Sequence, residues 1–441
     1  MAAVALDRVT KIYHGGVLAV DDIRLEVEQG EVLVLLGPSG CGKTTILRII
    51  AGLEEITSGG LWLDGELAND VPPQDRNVAM VFQDGALYPH LTVRENLAFP
   101  LTIARKPDRP AIGDRVGQIA HGLGIEATLD RRPGTLSGGE RQRVAIGRAL
   151  IRGEPTVLLM DEPLASLDAG LRGAMRAEID SLVRLLNITT VYVTHDQVEA
   201  LSLADRIAVL RAGQILDIGS PAQVYCNPAT AFAAAFLGSP PINLVSATIW
   251  VEIGERLIID FGLQRLHLPW ADERSESLTP YHGQTVIVGI RPDALIPARD
   301  AAGGSALHGR IHSLEYHGHE WLAQLETGFR LVSIDSVNTR PRRRAGSAAS
   351  QHAPAAMSGL PGRSRPRLRR LASGLTSHFG QPGSPAAVDQ NHLGEHRRAN
   401  LLVRLDSPHW WATGRDVSVA VDLPHVFVFD TDGRRIDKAP Y

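Results

Sequence analysis

The sequence predicts an α/β domain with a largely parallel sheet, followed by a smaller all-β domain. Residues 1 to about 237 alternate short apolar runs with segments of helical periodicity, which is typical of α/β folds. After residue 238, short segments of alternating polarity are separated by Gly and Asp turn signals. That spacing is typical of a small barrel or sandwich.

The first elements surround a glycine-rich segment. An apolar run over residues 31–36 predicts a buried strand, and apolar residues at 46, 49, 50 and 53 predict a helix over 45–53. Two further strands are predicted over 156–160 and 190–194, with a helix between them over about 168–186.

We place the first domain at residues 1–237. Within it, residues of about 87–155 differ from the rest in sequence pattern. Residues 87–150 contain five prolines, and a helical pattern covers 140–150. We therefore expect a mostly helical subdomain inserted in the α/β core.

The second domain, residues 238–441, carries an atypical insertion. Strands are predicted over 285–291, 401–405, 416–421 and 426–429. Residues 340–398 hold eleven arginines, no lysine and two acidic residues, so their net charge is +9, whereas the rest of the chain carries −13. Few apolar residues and a high net charge are typical of disorder. We expect a disordered loop over about 337–400.

The same composition leaves two alternatives open. An arginine-rich segment can bind nucleic acid or anionic lipid through its charge, although no series of aromatic residues accompanies it to stack on bases. A frame-shifted, GC-rich coding sequence also yields text rich in Arg, Pro, Ala and Gly.

The overall composition excludes several classes of protein. The two cysteines, Cys41 and Cys226, exclude a disulfide scaffold. The longest apolar runs are far shorter than the roughly 18 residues that span a bilayer, and the N-terminus lacks the pattern of a secretory signal. We therefore expect a chain that does not cross a membrane by itself.

A phosphate-binding motif lies between the first predicted strand and helix. The segment Gly-Pro-Ser-Gly-Cys-Gly-Lys-Thr over 37–44 matches G-x-x-x-x-G-K-[ST] in the required strand–loop–helix context. Its backbone N–H groups can turn towards a polyphosphate, and the helix N-terminus adds the positive end of its dipole. Lys43 would pair with the β- and γ-phosphates, Thr44 would bind Mg²⁺, and Cys41 contributes its backbone. The candidate nucleotide-binding residues are Gly37, Pro38, Ser39, Gly40, Cys41, Gly42, Lys43, Thr44 and Thr45.

Two acidic residues end the strand predicted over 156–160. Beside a phosphate-binding loop, Asp161 can hold the Mg²⁺ shell, and Glu162 can orient or deprotonate the attacking water. Many strands end in acidic residues, so this pair indicates catalysis only together with the other motifs.

Residues 136–140 read Leu-Ser-Gly-Gly-Glu and are followed by Arg-Gln-Arg-Val-Ala-Ile-Gly-Arg-Ala-Leu over 141–150. With this segment the sequence resembles the ATP-binding subunits of ABC transporters, for which Leu-Ser-Gly-Gly is the signature. In that family the signature of one subunit closes over ATP held by the other. The resemblance implies that Ser137, Gly138, Gly139 and Glu140 form a second anion cradle at a helix N-terminus.

Four further residues match the family's motifs in the family's order. The resemblance implies that Tyr13 stacks on adenine and that Gln83 touches Mg²⁺ and links the site to membrane subunits. It also implies that Asp168 contacts the opposite subunit and that His195 holds the γ-phosphate.

The resemblance narrows to the importer ATPases for maltose-type oligosaccharides and glycerol 3-phosphate at residues 71–80, 86–96, 236–243 and 289–293. In that family an OB-type barrel with roles in dimer contacts and regulation follows the ATPase. The sequence departs from the family at Asp84-Gly85, where a polar residue and then Tyr or His is usual.

The resemblance implies an ATP- and Mg²⁺-dependent importer ATPase. It implies a homodimer that binds two Mg·ATP, two integral-membrane permease subunits, and indirectly an extracytoplasmic solute-binding protein. The chain would lie at the cytoplasmic face of the cell membrane, without a nucleic-acid partner. The alternative is a soluble ABC-type ATPase that acts on nucleic acid or ribosomes, which only the arginine-rich segment favours.

Limited proteolysis tests the expected disorder. We expect trypsin to cut first between about residues 340 and 398, because a solvated arginine-rich chain offers many accessible sites. Mass spectrometry of the earliest fragments locates the cuts. A protease-resistant segment there would contradict the expectation.

Overall fold

The computed structural model describes residues 2–83, 85–103, 109–153, 155–165, 167–298, 306–337, 399–408 and 411–437. All of them belong to one compact unit. The insertion expected at about 337–400 falls almost entirely outside the described residues, and so does Asp84. Among the helices that the structure describes, none is long and apolar enough to cross a bilayer.

The described elements alternate strand and helix up to residue 236 and are mostly strands after it. The strands are β1 Ala2–Tyr13, β2 Val17–Glu28, β3 Val32–Leu36, β4 Ser58–Leu63, β5 Glu66–Leu67, β6 Val78–Val81, β7 Val157–Asp161, β8 Thr189–Thr194, β9 Arg206–Arg211, β10 Gln214–Gly219, β11 Asn243–Glu252, β12 Arg256–Asp260, β13 Arg265–Pro269, β14 Thr285–Ile290, β15 Leu295–Ala298, β16 Ala306–Tyr316, β17 Trp321–Phe329, β18 Ala399–Leu405, β19 Asp416–Val421 and β20 Val426–Phe429. The helices are α1 Lys43–Ala51, α2 Val93–Thr102, α3 Arg109–Gly122, α4 Gly138–Leu150, α5 Ala169–Leu186, α6 Gln197–Leu203, α7 Pro221–Cys226, α8 Ala231–Phe236 and α9 Ser275–Leu278.

A six-stranded sheet forms the centre of the first part, in the order β10-β9-β3-β8-β7-β6. Strands β9, β3, β8, β7 and β6 run parallel, and β10 pairs antiparallel with β9. Every residue of β3, β7 and β8 is buried, as expected for parallel strands covered on both faces. The strands and helices that the sequence predicts here are confirmed within two residues at each end.

A second, antiparallel sheet has the order β2-β1-β4-β5 and shares an apolar core with α1 and the inner face of the parallel sheet. Arg76 closes the far end of α1. Its buried guanidinium donates to the carbonyl oxygens of Ile49 at 2.7 Å and Ile50 at 3.1 Å. The Ile49 carbonyl also accepts from the N–H of Gly52 at 3.1 Å. Arg76 adds a charged donor at the C-terminus of the helix, where it complements the helix dipole.

Helices α2, α3 and α4 surround a separate apolar cluster, as the sequence predicts for the helical subdomain. Thr92 is the N-cap of α2 and forms a capping box with Glu95. The Thr92 side chain accepts from the N–H of Glu95, and the Glu95 side chain accepts from the N–H of Thr92. The buried Asn96 turns back from α2 and bonds to the loop that precedes it.

The second part of the chain contains two antiparallel sheets of five strands each, ordered β13-β12-β11-β14-β20 and β15-β19-β16-β17-β18. Their inner faces share one apolar core, which matches the barrel-like fold that the sequence predicts. The buried Asn243 joins the two sheets. Its amide nitrogen donates to the carbonyl oxygens of Ile290 at 3.1 Å and Leu402 at 2.9 Å, and its oxygen accepts from the N–H of Leu402 at 2.7 Å.

Two arginines connect the strands of the second part to the first. Arg291 is buried, donates to the carbonyl oxygen of Leu237 at 3.0 Å, and stacks its guanidinium 3.8 Å from the centroid of the Tyr225 ring. Arg211, at the end of β9, donates to the carbonyl oxygens of Ile334 and Val337. The contacts of Arg291 with Leu237 and Tyr225 explain why residues 289–293 carry a buried arginine.

Replacing Asn243 tests the connection between the two sheets. We expect Asn243→Ala to lower the free energy of unfolding by about 2–4 kcal/mol, because it leaves buried backbone groups of Leu402 and Ile290 without partners. Urea unfolding followed by tryptophan fluorescence measures it, since five of the six tryptophans lie at or after residue 250. Gln284→Ala, an exposed amide with a local bond, is the control; equal stability of both variants would contradict the prediction.

Candidate active site

The carboxyl ends of four neighbouring parallel strands meet at one edge of the central sheet. The segment 37–44 follows β3, His195 follows β8, Asp161 ends β7 with Glu162 after it, and Gln83 follows β6. Ligands of open α/β sheets bind at this edge. The sheet therefore brings together residues that lie far apart in the sequence.

The phosphate-binding segment wraps tightly around its own lysine. A Cβ atom on Gly42, whose φ is 108°, would lie 2.4 Å from the carbonyl oxygen of Ala19, so only glycine fits. The buried Lys43 ammonium donates to the carbonyl oxygens of Gly37 at 2.8 Å and Pro38 at 3.0 Å. The loop thus holds the ammonium at its centre by bonds that an anion could replace.

Cys41 lies buried inside the same segment. Burial raises the pKa of its thiol, which disfavours the reactive thiolate. Its backbone carbonyl accepts a hydrogen bond from the N–H of Gly213 at 2.9 Å. The backbone of Cys41 therefore ties the loop to the β9–β10 hairpin.

Thr44 and Asp161 bring two oxygen atoms together beside this loop. The Thr44 hydroxyl donates to Oδ1 of Asp161 at 2.9 Å. Burial raises the pKa of Asp161, while the bond from Thr44 acts in the opposite direction. A hydroxyl and a carboxylate at hydrogen-bond distance are a donor set suited to a hard cation.

Glu162 and His195 are paired at the ends of adjacent strands. Nδ1 of His195 lies 2.9 Å from Oε2 of Glu162, and the N–H of Glu162 donates to the carbonyl oxygen of Val193 at 3.0 Å. The φ of Glu162 is 45°, in the left-handed region that glutamate seldom adopts. Such an outlier held by neighbouring strands is typical of a functional site.

Gln83 lies beyond the end of β6, the strand next to β7, and is exposed. Phe82 and Gly85 close a turn around it, since the N–H of Gly85 donates to the carbonyl oxygen of Phe82 at 2.8 Å. The structure thus places Gln83 at the same sheet edge as Asp161.

Tyr13 reaches the beginning of α1 from the end of β1. Its hydroxyl lies 3.4 Å from Oγ1 of Thr45, and the ammonium of Lys11 lies 5.0 Å from the centroid of its ring. Lys11 is itself held by the Glu54 carboxylate at 3.1 Å and the Glu55 carbonyl oxygen at 2.7 Å. Sequence reasoning missed Lys11, which orients the aromatic ring through a cation–π contact.

The segment Ser137–Glu140 begins α4 with a reciprocal capping box. The N–H of Glu140 donates to the Ser137 hydroxyl at 3.2 Å, and the N–H of Ser137 donates to Glu140 Oε2 at 2.7 Å. A Cβ on Gly138 would lie 2.5 Å from Leu167, and one on Gly139 would lie 3.2 Å from Met175. Glu140 Oε1 also accepts from the guanidinium of Arg131 at 3.3 Å.

Asp168 begins α5, and its Oδ1 accepts a bond from the N–H of Leu171 at 3.0 Å. Its carboxylate therefore acts as a helix cap in the single subunit. The structure places Asp168 and Ser137–Glu140 at the beginnings of α5 and α4. In the part of the chain that the structure describes, these candidate residues are not at the sheet edge that carries Gly37–Thr44.

The chain matches two family patterns. The pattern described as ABC transporter matches residues 20–165, and the pattern described as MalK OB fold domain matches residues 238–295. The trehalose/maltose import ATP-binding protein MalK of Thermococcus litoralis is 47% identical over 358 residues, which cover 78% of this chain and 94% of that protein.

The chain belongs to the ABC transporter family of ATP-binding proteins. Other relatives are also ATP-binding proteins of transport systems. The sn-glycerol-3-phosphate import ATP-binding protein UgpC of Bartonella quintana is 48% identical, covering 66% of this chain and 80% of that protein. The sulfoquinovosyl glycerol transport ATP-binding protein SmoE of Agrobacterium fabrum is 49% identical, covering 68% and 81%. The predicted fold, an ABC ATPase followed by an OB-type domain, is confirmed, and ATP is the nucleotide of this family.

Sequence reasoning missed Glu199 of this ABC ATPase. Its buried carboxylate accepts hydrogen bonds from the hydroxyls of Tyr192 at 2.9 Å and Thr194 at 2.8 Å, and burial raises its pKa. Thr194 immediately precedes His195, so this network fixes the strand end that presents the histidine. The signal in the sequence is Asp196 followed three positions later by Glu199, the spacing of a helix N-terminus.

Replacing Lys43 tests the phosphate-binding loop of this ABC ATPase. We expect Lys43→Ala to weaken ATP binding by about 100-fold, because it removes a charge-assisted contact worth about 1.5–3 kcal/mol. Titration with a fluorescent ATP analogue measures the affinity. Arg24→Ala removes an exposed cation from the antiparallel sheet and should bind as the unchanged protein does. Unaltered affinity of Lys43→Ala would disprove its role.

Proposed function

We propose that this ABC ATPase is the ATP-hydrolysing subunit of an importer for a carbohydrate or a glycerol-phosphate-like solute. The observation that carries the proposal is the convergence of Thr44, Asp161, Glu162 and His195 at one edge of the parallel sheet. The relatives include trehalose/maltose and glycerol 3-phosphate import proteins, which supports the solute class.

The backbone of Gly37–Thr45 receives the phosphates, and Lys43 exchanges its bonds to loop carbonyls for bonds to the β- and γ-phosphates. Tyr13 stacks on adenine. Glu162 orients the attacking water and accepts its proton. His195 binds the γ-phosphate and is positioned by its contact with Glu162. Catalysis of phosphoryl transfer to water is then mainly positioning and charge stabilisation.

The residues proposed to hold Mg²⁺ are Thr44, Asp161 and Gln83. All three offer oxygen atoms, the ligands that this cation prefers, and two of them already lie 2.9 Å apart. When bound, the cation neutralises negative charge that develops on the phosphates. The Thr44–Asp161 bond supports this assignment because it holds both oxygens at the end of β7, beside the loop.

A second copy of the chain completes each site. Ser137, Gly138, Gly139 and Glu140 would cap the ATP bound to the partner, and Asp168 would contact the opposite subunit. The support is the position of these residues at helix N-termini, whose N–H groups suit anions, in segments that do not join their own phosphate-binding loop. Two head-to-tail copies would therefore bind two ATP molecules.

The membrane partners are two integral-membrane permease subunits, which receive solute from an extracytoplasmic binding protein. The chain would lie at the cytoplasmic face of the cell membrane, attached through the permeases. Closure of the ATP-bound dimer would move the permeases, and hydrolysis would reset them. Co-purification with membrane subunits, followed by a solute screen of ATPase stimulation, tests this arrangement. Binding to nucleic acid that is lost on deleting 340–398, with no permease present, would favour the soluble alternative.

We assign residues 1–237 to the ATPase domain, with the helical subdomain at about 87–155, and residues 238–441 to an OB-like regulatory domain. The sheets support this division, because the strands of the first two sheets end at Gly219 and those of the other two begin at Asn243. The arginine-rich insertion lies between β17 and β18 in sequence.

Replacing Glu162 tests the proposed chemistry. We expect Glu162→Gln to reduce ATP turnover by about 100-fold or more, because the amide cannot accept the water proton. The variant should still bind ATP and accumulate as a dimer. Steady-state phosphate release and size-exclusion chromatography with ATP measure the two effects. Glu178→Gln, which alters an exposed carboxylate on α5, is the matched control. Sustained hydrolysis by Glu162→Gln would refute the assigned role.

A further inference from the structure

Arg148 lies in the last turns of α4 and reaches the loop that follows Gln83. Its guanidinium donates to the carbonyl oxygens of Ala86 at 2.5 Å and Gly85 at 3.2 Å. Its Cζ atom lies 5.4 Å from the centroid of the Tyr88 ring. Two charge-assisted bonds to successive carbonyls fix both the position and the plane of the guanidinium against the loop.

The carbonyls that Arg148 holds belong to a strained turn. Gly85 and Ala86 have φ values of 67° and 46°, a region that alanine rarely adopts. The N–H of Gly85 in turn closes the turn on the carbonyl oxygen of Phe82 at 2.8 Å. Gln83 is the second residue of this turn. Two hydrogen bonds therefore link Arg148 through Gly85 to Phe82, the residue that immediately precedes Gln83.

The other end of the same loop is held separately. The buried Asn96 donates to the carbonyl oxygens of Tyr88 at 3.1 Å and Leu91 at 3.2 Å, and it accepts from the N–H of Tyr88 at 2.8 Å. Helix α2 thus anchors the distal half of the loop through Asn96, while α4 anchors the half beside Gln83 through Arg148.

We propose that Arg148 is a positioning residue that sets the place of Gln83 relative to the metal and nucleotide. The inference rests on the proposed role of Gln83 as a metal ligand. It extends that role, because Arg148 lies on the helix that begins at Ser137, the residue proposed to contact the partner's ATP. A single helix then carries the nucleotide contact of one site and the support of Gln83 in the other.

The test compares Arg148→Met and Arg148→Lys with the unchanged full-length chain. Methionine keeps an apolar stem without donors, and lysine keeps the charge but lacks the planar fork that spans two carbonyls. We expect Arg148→Met to lower kcat by about 10- to 100-fold, the usual cost of a misplaced catalytic group. Arg148→Lys should recover part of that loss.

Two readouts separate positioning from a general structural role. Binding of a fluorescent ATP analogue in EDTA should stay within about twofold, because the phosphate-binding loop is untouched. Hydrogen exchange of the amides at 85–92 should become about tenfold faster or more in Arg148→Met. Arg143→Met, on the same helix but facing Glu178 at 3.6 Å, should change neither.

Unchanged kcat and unchanged exchange in Arg148→Met would overturn the inference. So would parallel losses of ATP binding, kcat and thermal stability in both Arg148 variants, which indicate a structural role alone. If Arg148→Met does not fold, Arg148→Lys decides by the same criteria.

A double-mutant cycle with Gln83→Ala distinguishes failure of this inference from failure of the proposed function. If Gln83→Ala hydrolyses ATP normally, the proposed role of Gln83 is wrong. If Gln83→Ala is impaired and Arg148→Met adds little in that background, Arg148 acts through Gln83. Additive losses in the double variant would contradict the inference while leaving the role of Gln83 intact.

Discussion

The site depends on one backbone contact between two parallel strands. The N–H of Glu162 continues the pairing of β7 with β8 by donating to Val193, although the φ of Glu162 has already left the extended region. This contact turns the Glu162 carboxylate towards His195 and leaves Asp161 one residue earlier, beside Thr44. Two adjacent acidic residues on a strand would otherwise point to opposite faces. The strained turn lets both serve the same sheet edge.

The glycines of the signature segment have a structural reason besides any contact with nucleotide. Gly138 and Gly139 lie against Leu167 and Met175, at distances that leave little or no room for a side chain. Leu167 immediately precedes Asp168, the cap of α5. The beginnings of α4 and α5 are thus packed together, so residues proposed to meet the second copy are presented by one close-packed pair of helix ends.

Much of the fold and of the site could be predicted because its signals are local in the sequence. The continuous apolar runs before Gly37 and before Asp161 predict buried strands, and the periodic pattern over 168–186 predicts a helix. Lys11 and Arg148 could not be found this way, and the spacing of Asp196 and Glu199 indicates a helix N-terminus without revealing the bonds that Glu199 accepts from Tyr192 and Thr194. Each acts through a contact with residues whose proximity only the folded chain creates, such as the carbonyls of Gly85 and Ala86 for Arg148. A lone arginine or lysine in a helix or strand has no pattern that distinguishes such a role from a solvated side chain.

The pairing of β17 with β18 has a practical consequence for protein engineering. These strands pair directly from Trp321 with Leu405 to Glu326 with Asn400, and after a register shift Phe329 pairs with Ala399, although some seventy residues separate Phe329 from Ala399 in the sequence. The end of β17 and the beginning of β18 are therefore paired in the sheet. A folded reporter whose own termini are adjacent could be exchanged for residues 340–398 with little demand on the barrel. Such a graft would label the second domain far along the sequence from the phosphate-binding loop.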